Sequence, residues 1–523
     1  MNKIQILDCT LRDGGYVNDF NFGENSIRKI IKQLTDANID IIECGFLEDC
    51  DYDPNCSIYD SVEQIRPFIP QERKNSLYVA MACYGEYDLN KLSEYDGTSV
   101  DGIRVTFHYN EVEKALVYCK QIIDKGYKVF VQPVGTSSYT DEQLLTLISS
   151  VNHLKPYAFY LVDTLGLMLK DDIMRFYYLI NHNLNRSIHF GFHSHNNLQL
   201  SYSNCQLLAE LTTDRVISLD ASVKGMGRGA GNLNTELLAY YLNTKDRRYE
   251  IEPILEIVDE FISKINLQFS WGYDVPHYLA AINGCHPNYA SYLVNKQTLT
   301  AKNISTILRL IPVEKRSLFN KELAEQMYID FQSKEVDDRN TINVLKGVFA
   351  NRNVLVLAPG PSLSSNKERI LDYAKKHDCL IVSVAFVPEF IETNFVFLSN
   401  LKRYNTTFNP SHKKINLIHT SNIEIDEEGV LIVNYSSLLN EEDVIIDNTA
   451  MMFLNLLTRL SPSKVFCAGL DGYHESGNNY YLSRLVFSQD SERIHSLNTA
   501  IKTKIRELSR LIKIEFITES LYA

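Results

Sequence analysis

The chain has 523 residues, 45% hydrophobic and 22% charged, more than a single hydrophobic core organises, so two or three domains are expected. A net charge of −13 argues against a general nucleic-acid binder while leaving room for a local basic pocket. No apolar run approaches a membrane span, and MNKIQILDCT opens on a strand pattern rather than a leader, so a soluble, cytoplasmic protein is expected.

Ten cysteines are scattered without any C-x-x-C, which reads as free thiols in a reducing compartment. Cys50 and Cys56 share one polar loop and are expected to stay unpaired.

In chain order, eight strand-like runs come first: IQILDCT (4–10), IDIIECGF (39–46), LYVAMACY (77–84), GIRVTFHY (102–109), KVFVQPVG (128–135), AFYLVDTLG (158–166), IHFGFHSH (188–195) and VISLDASV (216–223). Amphipathic segments such as SIRKIIKQLTDA and DEQLLTLISSVNHL separate them at helical spacing. Eight strand–helix repeats over the first 250 residues predict a parallel (β/α)8 TIM barrel, with a doubly wound sheet as the structural alternative. A helical extension is expected over 251–335, and RNTINVLKGVFANRN (339–353) reads as the link to a further domain. That domain, 350–523, alternates again: NVLVLAPGPSL (353–363), CLIVSVAF (379–386), FVFLSN (395–400), INLIHT (415–420), VLIVNY (430–435), KVFCAGLDGY (464–473) and IKIEFIT (512–518). This predicts an open α/β, Rossmann-like domain.

HFGFHSHNNL (189–198) places His193 and His195 two apart at the end of a strand. Residues i and i+2 share a face, so both imidazoles point the same way, like two members of a ligand set. The end of strand one, LDCTLRDGGY, brings Arg12 and Asp13 to the same mouth, with strand eight between. Asp13 can supply an oxygen ligand, leaving positions open for substrate or water. Asp-Gly-Gly is also an ordinary turn, but the paired histidines tilt the reading to a metal. Arg12 beside a cation makes sense if both stabilise an oxyanion such as the enolate of a 2-oxo acid. After strand eight, DASVKGMGRGAGN (220–232) is either a phosphate-cradling loop or a tight turn presenting Asn232 to the metal.

TLRDGG, VDTLG, HSHNN and DASVKGMGRGAGN occur in that order along 10–232 and resemble the DRE-TIM metallolyase superfamily, 4-hydroxy-2-oxovalerate aldolases among them. The resemblance implies a divalent metal (Mn2+, Mg2+, Co2+ or Zn2+) on Asp13, His193 and His195, joined in some members by Asn232. It implies Arg12 as enolate stabiliser and Thr164 as a contact for the substrate carboxylate. Residues 225–232 lack the cysteine of the hydroxymethylglutaryl-CoA lyases. Tyr16 stands where the aldolases carry a histidine base. In GCHPNYASYL (284–293), Tyr289 resembles the aldolase tyrosine that reaches the active site, and His286 is a candidate replacement base, unless both only pack the extension.

In the second domain, Gly360, Pro361 and Ser362 turn from strand to helix, where backbone amides can hold phosphate. KVFCAGLDGYHESGNNYY (464–481) with IHSLNTAI (494–501) resembles bacterial sialyltransferases, and the GPSL start also resembles pterin pyrophosphokinase-like proteins. The resemblance implies Ser362 and Asn448 at the nucleotide, His495 as base, and Asp471 and Tyr473 shaping the pocket. Pro359 departs from the asparagine of that family. The expectation is a bifunctional enzyme of surface polysaccharide synthesis: an aldolase acting on pyruvate or another 2-oxo acid with an aldehyde, joined to a domain that binds a nucleotide or CMP-sugar. A homo-oligomer is expected. An acyl-CoA-condensing enzyme of the isopropylmalate synthase kind is the alternative, as is an inactive barrel serving a C-terminal transferase.

Overall fold

The computed structural model describes residues 4–407, 415–425, 429–475, 479–481 and 491–523. They divide into two compact units, one of Met1–Ser291 with Pro312–Phe319, the other of Tyr292–Ile311 with Asn320–Ala523.

In the first unit eight parallel strands close into a barrel: β1 (Ile4–Asp8), β2 (Ile41–Leu47), β3 (Leu77–Cys83), β4 (Gly102–Phe107), β5 (Lys128–Pro133), β6 (Ala158–Asp163), β7 (His189–Ser194) and β8 (Ile217–Ala221). Each pairs with the next, and β1 pairs with both β2 and β8, which closes the ring. This is a TIM barrel. A two-residue strand, Ile58–Tyr59, adds to the end of β2. Strands buried on both faces read as continuous apolar runs, as IIECGFL does in β2. The helices instead carry one apolar stripe. In α1 (Glu24–Asp36) Ile27, Ile30, Ile31 and Leu34 face inward at helical spacing. In α2 (Asp141–Leu154) Leu144, Leu147, Ile148 and Val151 do the same, behind a Thr140–Gln143 capping box.

All eight expected strands are present, but most end two or three residues early on their C-terminal side. The residues left over, such as Thr10 and Thr164, form the loops at the barrel mouth together with Arg12 and Asp13. Leaving the ladder frees their side chains for a site.

The expected extension contains helices and no strand, among them α3 (Val275–Ile282) and α4 (Pro287–Asn295). Its residues are divided between the two units. The expected link at 339–353 is mostly a helix, α5 (Arg339–Phe349), whose Ile342, Leu345 and Phe349 are buried in the core of the second unit.

The second unit holds seven parallel strands: β9 (Asn353–Leu357), β10 (Leu380–Val384), β11 (Phe395–Leu398), β12 (Asn416–Thr420), β13 (Leu431–Val433), β14 (Lys464–Ala468) and β15 (Ile514–Phe516). Their order is β13-β12-β11-β10-β9-β14-β15. The winding reverses between β9 and β14, and in open sheets such a switch point leaves a crevice at the strands' carboxyl ends. Helix α6 (Thr449–Leu460) buries seven of its side chains in the core of this unit, Met451 and Phe453 among them. Helix α7 spans Ser491–Leu508. All ten cysteines are free thiols. Among the described residues no helix is long and apolar enough to cross a membrane.

Candidate metal centre

Asp13, His193 and His195 offer ligand atoms that all lie within 4.8 Å of one another. His193 ends β7, and His195 follows in a short bridge to Asn232. Their rings meet edge to face with centroids 5.2 Å apart. Asp13 sits in the turn after β1, where its N–H and that of Arg12 both bond the Cys9 carbonyl. The pairing of β1 with β8 and of β8 with β7 brings these chain-distant residues together.

The glycine loop presents Asn232 to the centre. The N–H groups of Gly225, Met226, Ala230, Gly231 and Asn232 are bonded within the chain, so the loop is folded mainly on itself. Asn232 Nδ2 donates to Asp13 Oδ2 at 2.6 Å and to the Met226 carbonyl at 3.1 Å. Its Oδ1 is buried without a partner, an acceptor that a cation would satisfy. A Cβ on Gly227 would lie 2.9 Å from Asp13 Oδ2, so this position has no room for a side chain. An acid, two imidazoles and an orphaned amide oxygen suit a divalent cation with open positions.

A buried ionic lattice supports the ligands. Arg12 bonds Asp13 at 2.6 Å and Glu43 at 2.8 Å. Fully buried Arg104 pairs with Glu43 at 2.7 Å and also with Asp220. Asp220 accepts from His193 Nδ1 at 3.0 Å, which leaves Nε2 as the ligand atom. Burial would raise the Asp13 carboxyl, but Arg12, the two histidines and the Asn232 bond hold it well below the usual range. Burial pushes His195 down to about 3, so its imidazole is neutral and able to bind metal. Burial also acts on Asp220, but Arg104 and His193 lower it on balance. Glu43, Arg104 and Asp220 escaped the sequence reading. Their signal was a charge in the middle of an apolar strand, in IIECGFL, GIRVTF and ISLDA.

The other expected residues of this unit lie as follows. Thr164 Oγ1 accepts from the Gly135 N–H at 2.9 Å just past β6. Tyr16 is 40% exposed at the mouth, with the Arg228 guanidinium 3.8 Å from its ring centroid. His286 is pushed down to about 4, first by burial and then by Arg228. Tyr289 is fully buried and donates to the carbonyls of Lys315 and Leu318, both at 3.0 Å, so its hydroxyl holds the extension together.

In the second unit, Gly360, Asn448, Asp471 and Tyr473 line one cavity of about 1110 Å³. It opens where β9 and β14 end, at the switch point. Ser362 donates its N–H and its hydroxyl to Asp471, at 2.7 and 2.5 Å. The donors expected to hold a phosphate therefore hold the chain's own carboxylate. Asn448 caps α6 by accepting from the Met451 N–H. Tyr473 exchanges two bonds with Asn498. His495 is exposed on α7 and is not among the residues lining the cavity, whereas its neighbour Ser496 is.

The profile of the HMGL-like family matches residues 3–259. The oxaloacetate decarboxylase of Mycobacterium tuberculosis is 26% identical over 254 residues, 46% of this chain and 70% of that protein. The 4-hydroxy-2-oxovalerate aldolase of Geobacillus genomosp. 3 is 25% identical over 243 residues, with the same 46% and 70% coverage. A solved structure, the HMG-CoA lyase of Brucella melitensis, aligns at 15% identity and a TM-score of 0.40, covering 49% of this chain and 96% of that one. Aldolases of the HMGL-like family use a divalent metal, in agreement with the donor set just described. The N-terminal half of the chain is an HMGL-like domain, a TIM barrel of the DRE-TIM metallolyases, whose members are metal-dependent lyases.

Proposed function

We propose that the barrel is a divalent-metal-dependent aldolase that forms or cleaves a 4-hydroxy-2-oxo acid through the enolate of pyruvate or a related 2-oxo acid. The observation that carries this reading is the convergence of Asp13, His193 and His195 with Arg12 salt-bridged alongside. The cation, when bound, supplies Lewis-acid polarisation of the 2-oxo group. Arg12 is fixed by Asp13 and Glu43, so its guanidinium is already oriented when enolate charge develops. Thr164 keeps its hydroxyl proton for the substrate carboxylate, since its oxygen accepts from Gly135. His286 fits poorly as the base that would replace the histidine missing at Tyr16, because its Nδ1 accepts from the Asn288 N–H at 3.2 Å and burial holds the ring at about 4. Metal-dependent exchange of pyruvate methyl protons in deuterated water tests this. Wild type exchanges, Asp13→Asn does not, and a metal-loaded wild type that leaves pyruvate untouched refutes it.

The second unit is read as a nucleotide- or CMP-sugar-binding, glycosyltransferase-like domain. The cavity at the switch point favours a ligand of that size, because such crevices are where open parallel sheets bind. On this reading the chain is cytoplasmic and bifunctional, and one unit builds a keto-acid sugar for surface polysaccharide that the other transfers. Calorimetric titration of the full chain with CMP, other nucleotides and pterins tests it, and silence toward all of them refutes it.

A further inference from the structure

An aldolase needs a site for the aldehyde as well as for the 2-oxo acid, and the barrel mouth contains a cationic turn that the metal centre does not use. Each carboxylate of the centre already has donors of its own, although Glu43 Oε1 and Asp220 Oδ1 are buried without a hydrogen bond. Asp13 is held by Arg12 and Asn232, Glu43 by Arg12 and Arg104, and Asp220 by Arg104 and His193. Asp163 accepts the N–H groups of Leu167 and Met168. Arg228 is different. It stands exposed in the glycine loop with its guanidinium over the Tyr16 ring, and no carboxylate pairs with it among the described residues. A cation–π contact at an exposed site is worth only about 0.5–1 kcal/mol, so the guanidinium is easily drawn to an anion.

Two further features surround it. Among the described residues, the N–H groups of Gly227, Arg228 and Gly229 make no hydrogen bond, although the rest of the loop is bonded internally. His277, on α3, has a buried Nδ1 without a partner, 3.7 Å from where a Cβ on Gly229 would sit. The Arg228 guanidinium and three successive backbone N–H groups therefore lie on one turn beside the metal centre, with the His277 Nδ1 against Gly229, and no carboxylate of the described residues pairs with them. Such a group of donors matches a carboxylate or a phosphate.

We propose that the Arg228 turn is the subsite for the aldehyde, and that this aldehyde carries a carboxylate or phosphate which pairs with the guanidinium. The inference rests on the aldolase reading and adds the substrate class to it. In the addition, C3 of the pyruvate enolate bonds to the aldehyde carbon, the carbonyl π pair moves to oxygen, and that oxygen takes up a proton equivalent to the one lost from C3 when the enolate formed. Arg228 touches neither reacting atom. It holds the distant charged end and so sets which aldehydes reach the enolate.

The test uses the full-length, Mn2+-loaded protein with pyruvate and two matched pairs: 4-oxobutanoate against butanal, and glyceraldehyde 3-phosphate against glyceraldehyde. The expected result is a kcat/KM at least about tenfold higher for the charged member of one pair, the pair itself naming carboxylate or phosphate. In Arg228→Gln that ratio falls to near one, and in Arg228→Lys part of it returns. Equal rates with charged and neutral aldehydes in wild type overturn the proposal, as does an unchanged ratio in Arg228→Gln. Pyruvate proton exchange, measured on wild type alone, reports separately on the aldolase reading, because exchange needs no aldehyde.

Discussion

His193 Nδ1 lies 3.0 Å from Asp220 Oδ2, and the Arg104 guanidinium pairs with the same oxygen. The aspartate thereby fixes which ring nitrogen of His193 faces the metal position, and the arginine fixes the aspartate. Asp220→Asn removes the charge while keeping the shape, and the tautomer is then no longer enforced. Divalent-metal affinity is expected to fall about 10- to 100-fold, read by Mn2+ titration against a competing chelator. An unchanged affinity would mean that the contact does not tune the ligand.

Arg104 is a fully buried cation between two buried carboxylates. Arg104→Met keeps much of the volume but leaves Glu43 and Asp220 without their shared partner. Breaking a buried pair from one side costs about 3–5 kcal/mol. Urea unfolding of the full chain, followed on the barrel's transition, is expected to show a loss of that order. A loss under about 1 kcal/mol would show that the lattice relaxes around the gap.

Arg12 contributes geometry as well as charge, because it spans Asp13 and Glu43 in one fork. Lysine cannot make both contacts from fixed positions. Arg12→Lys is expected to lower the rate of pyruvate proton exchange about 100- to 1,000-fold while Mn2+ still binds. Equal losses of binding and exchange would instead make Arg12 a support for the ligand set.

Asp8 connects the fold to pH. Its carboxyl is buried, and burial raises it from 3.8 to about 6 despite bonds from Thr235 and Thr10. A carboxyl raised in the folded state contributes full stability below the unfolded value and loses it as pH climbs through about 6. Asp8→Asn removes that ionisation. Between pH 4.5 and 7.5 the wild-type barrel is expected to lose about 2 kcal/mol relative to the variant, measured by urea unfolding at both pH values. Parallel pH profiles would contradict this.

Much of the barrel was legible in the sequence because each strand–helix repeat carries its own apolar pattern. The metal ligands were legible because H-x-H in a strand shares a face and because strands one, seven and eight are neighbours in any eight-stranded ring. The lattice of Glu43, Arg104 and Asp220 was not, since its members come from three strands and meet only after closure. Ser362 shows the same limit, for its turn looked ready for phosphate until folding brought in Asp471, 109 positions later. His495 was readable in retrospect. Ile494, Leu497 and Ile501 mark the buried face of α7, and that spacing turns residue 495 outward.

Asp13, His193 and His195 are placed to hold one divalent cation at the barrel mouth. Anomalous diffraction from crystals of the full-length protein grown with Mn2+ tests it most directly. A single strong peak per barrel is expected within bonding distance of an Asp13 oxygen and of one nitrogen from each histidine, absent in His193→Ala. A peak elsewhere, or none at saturating Mn2+, would contradict it.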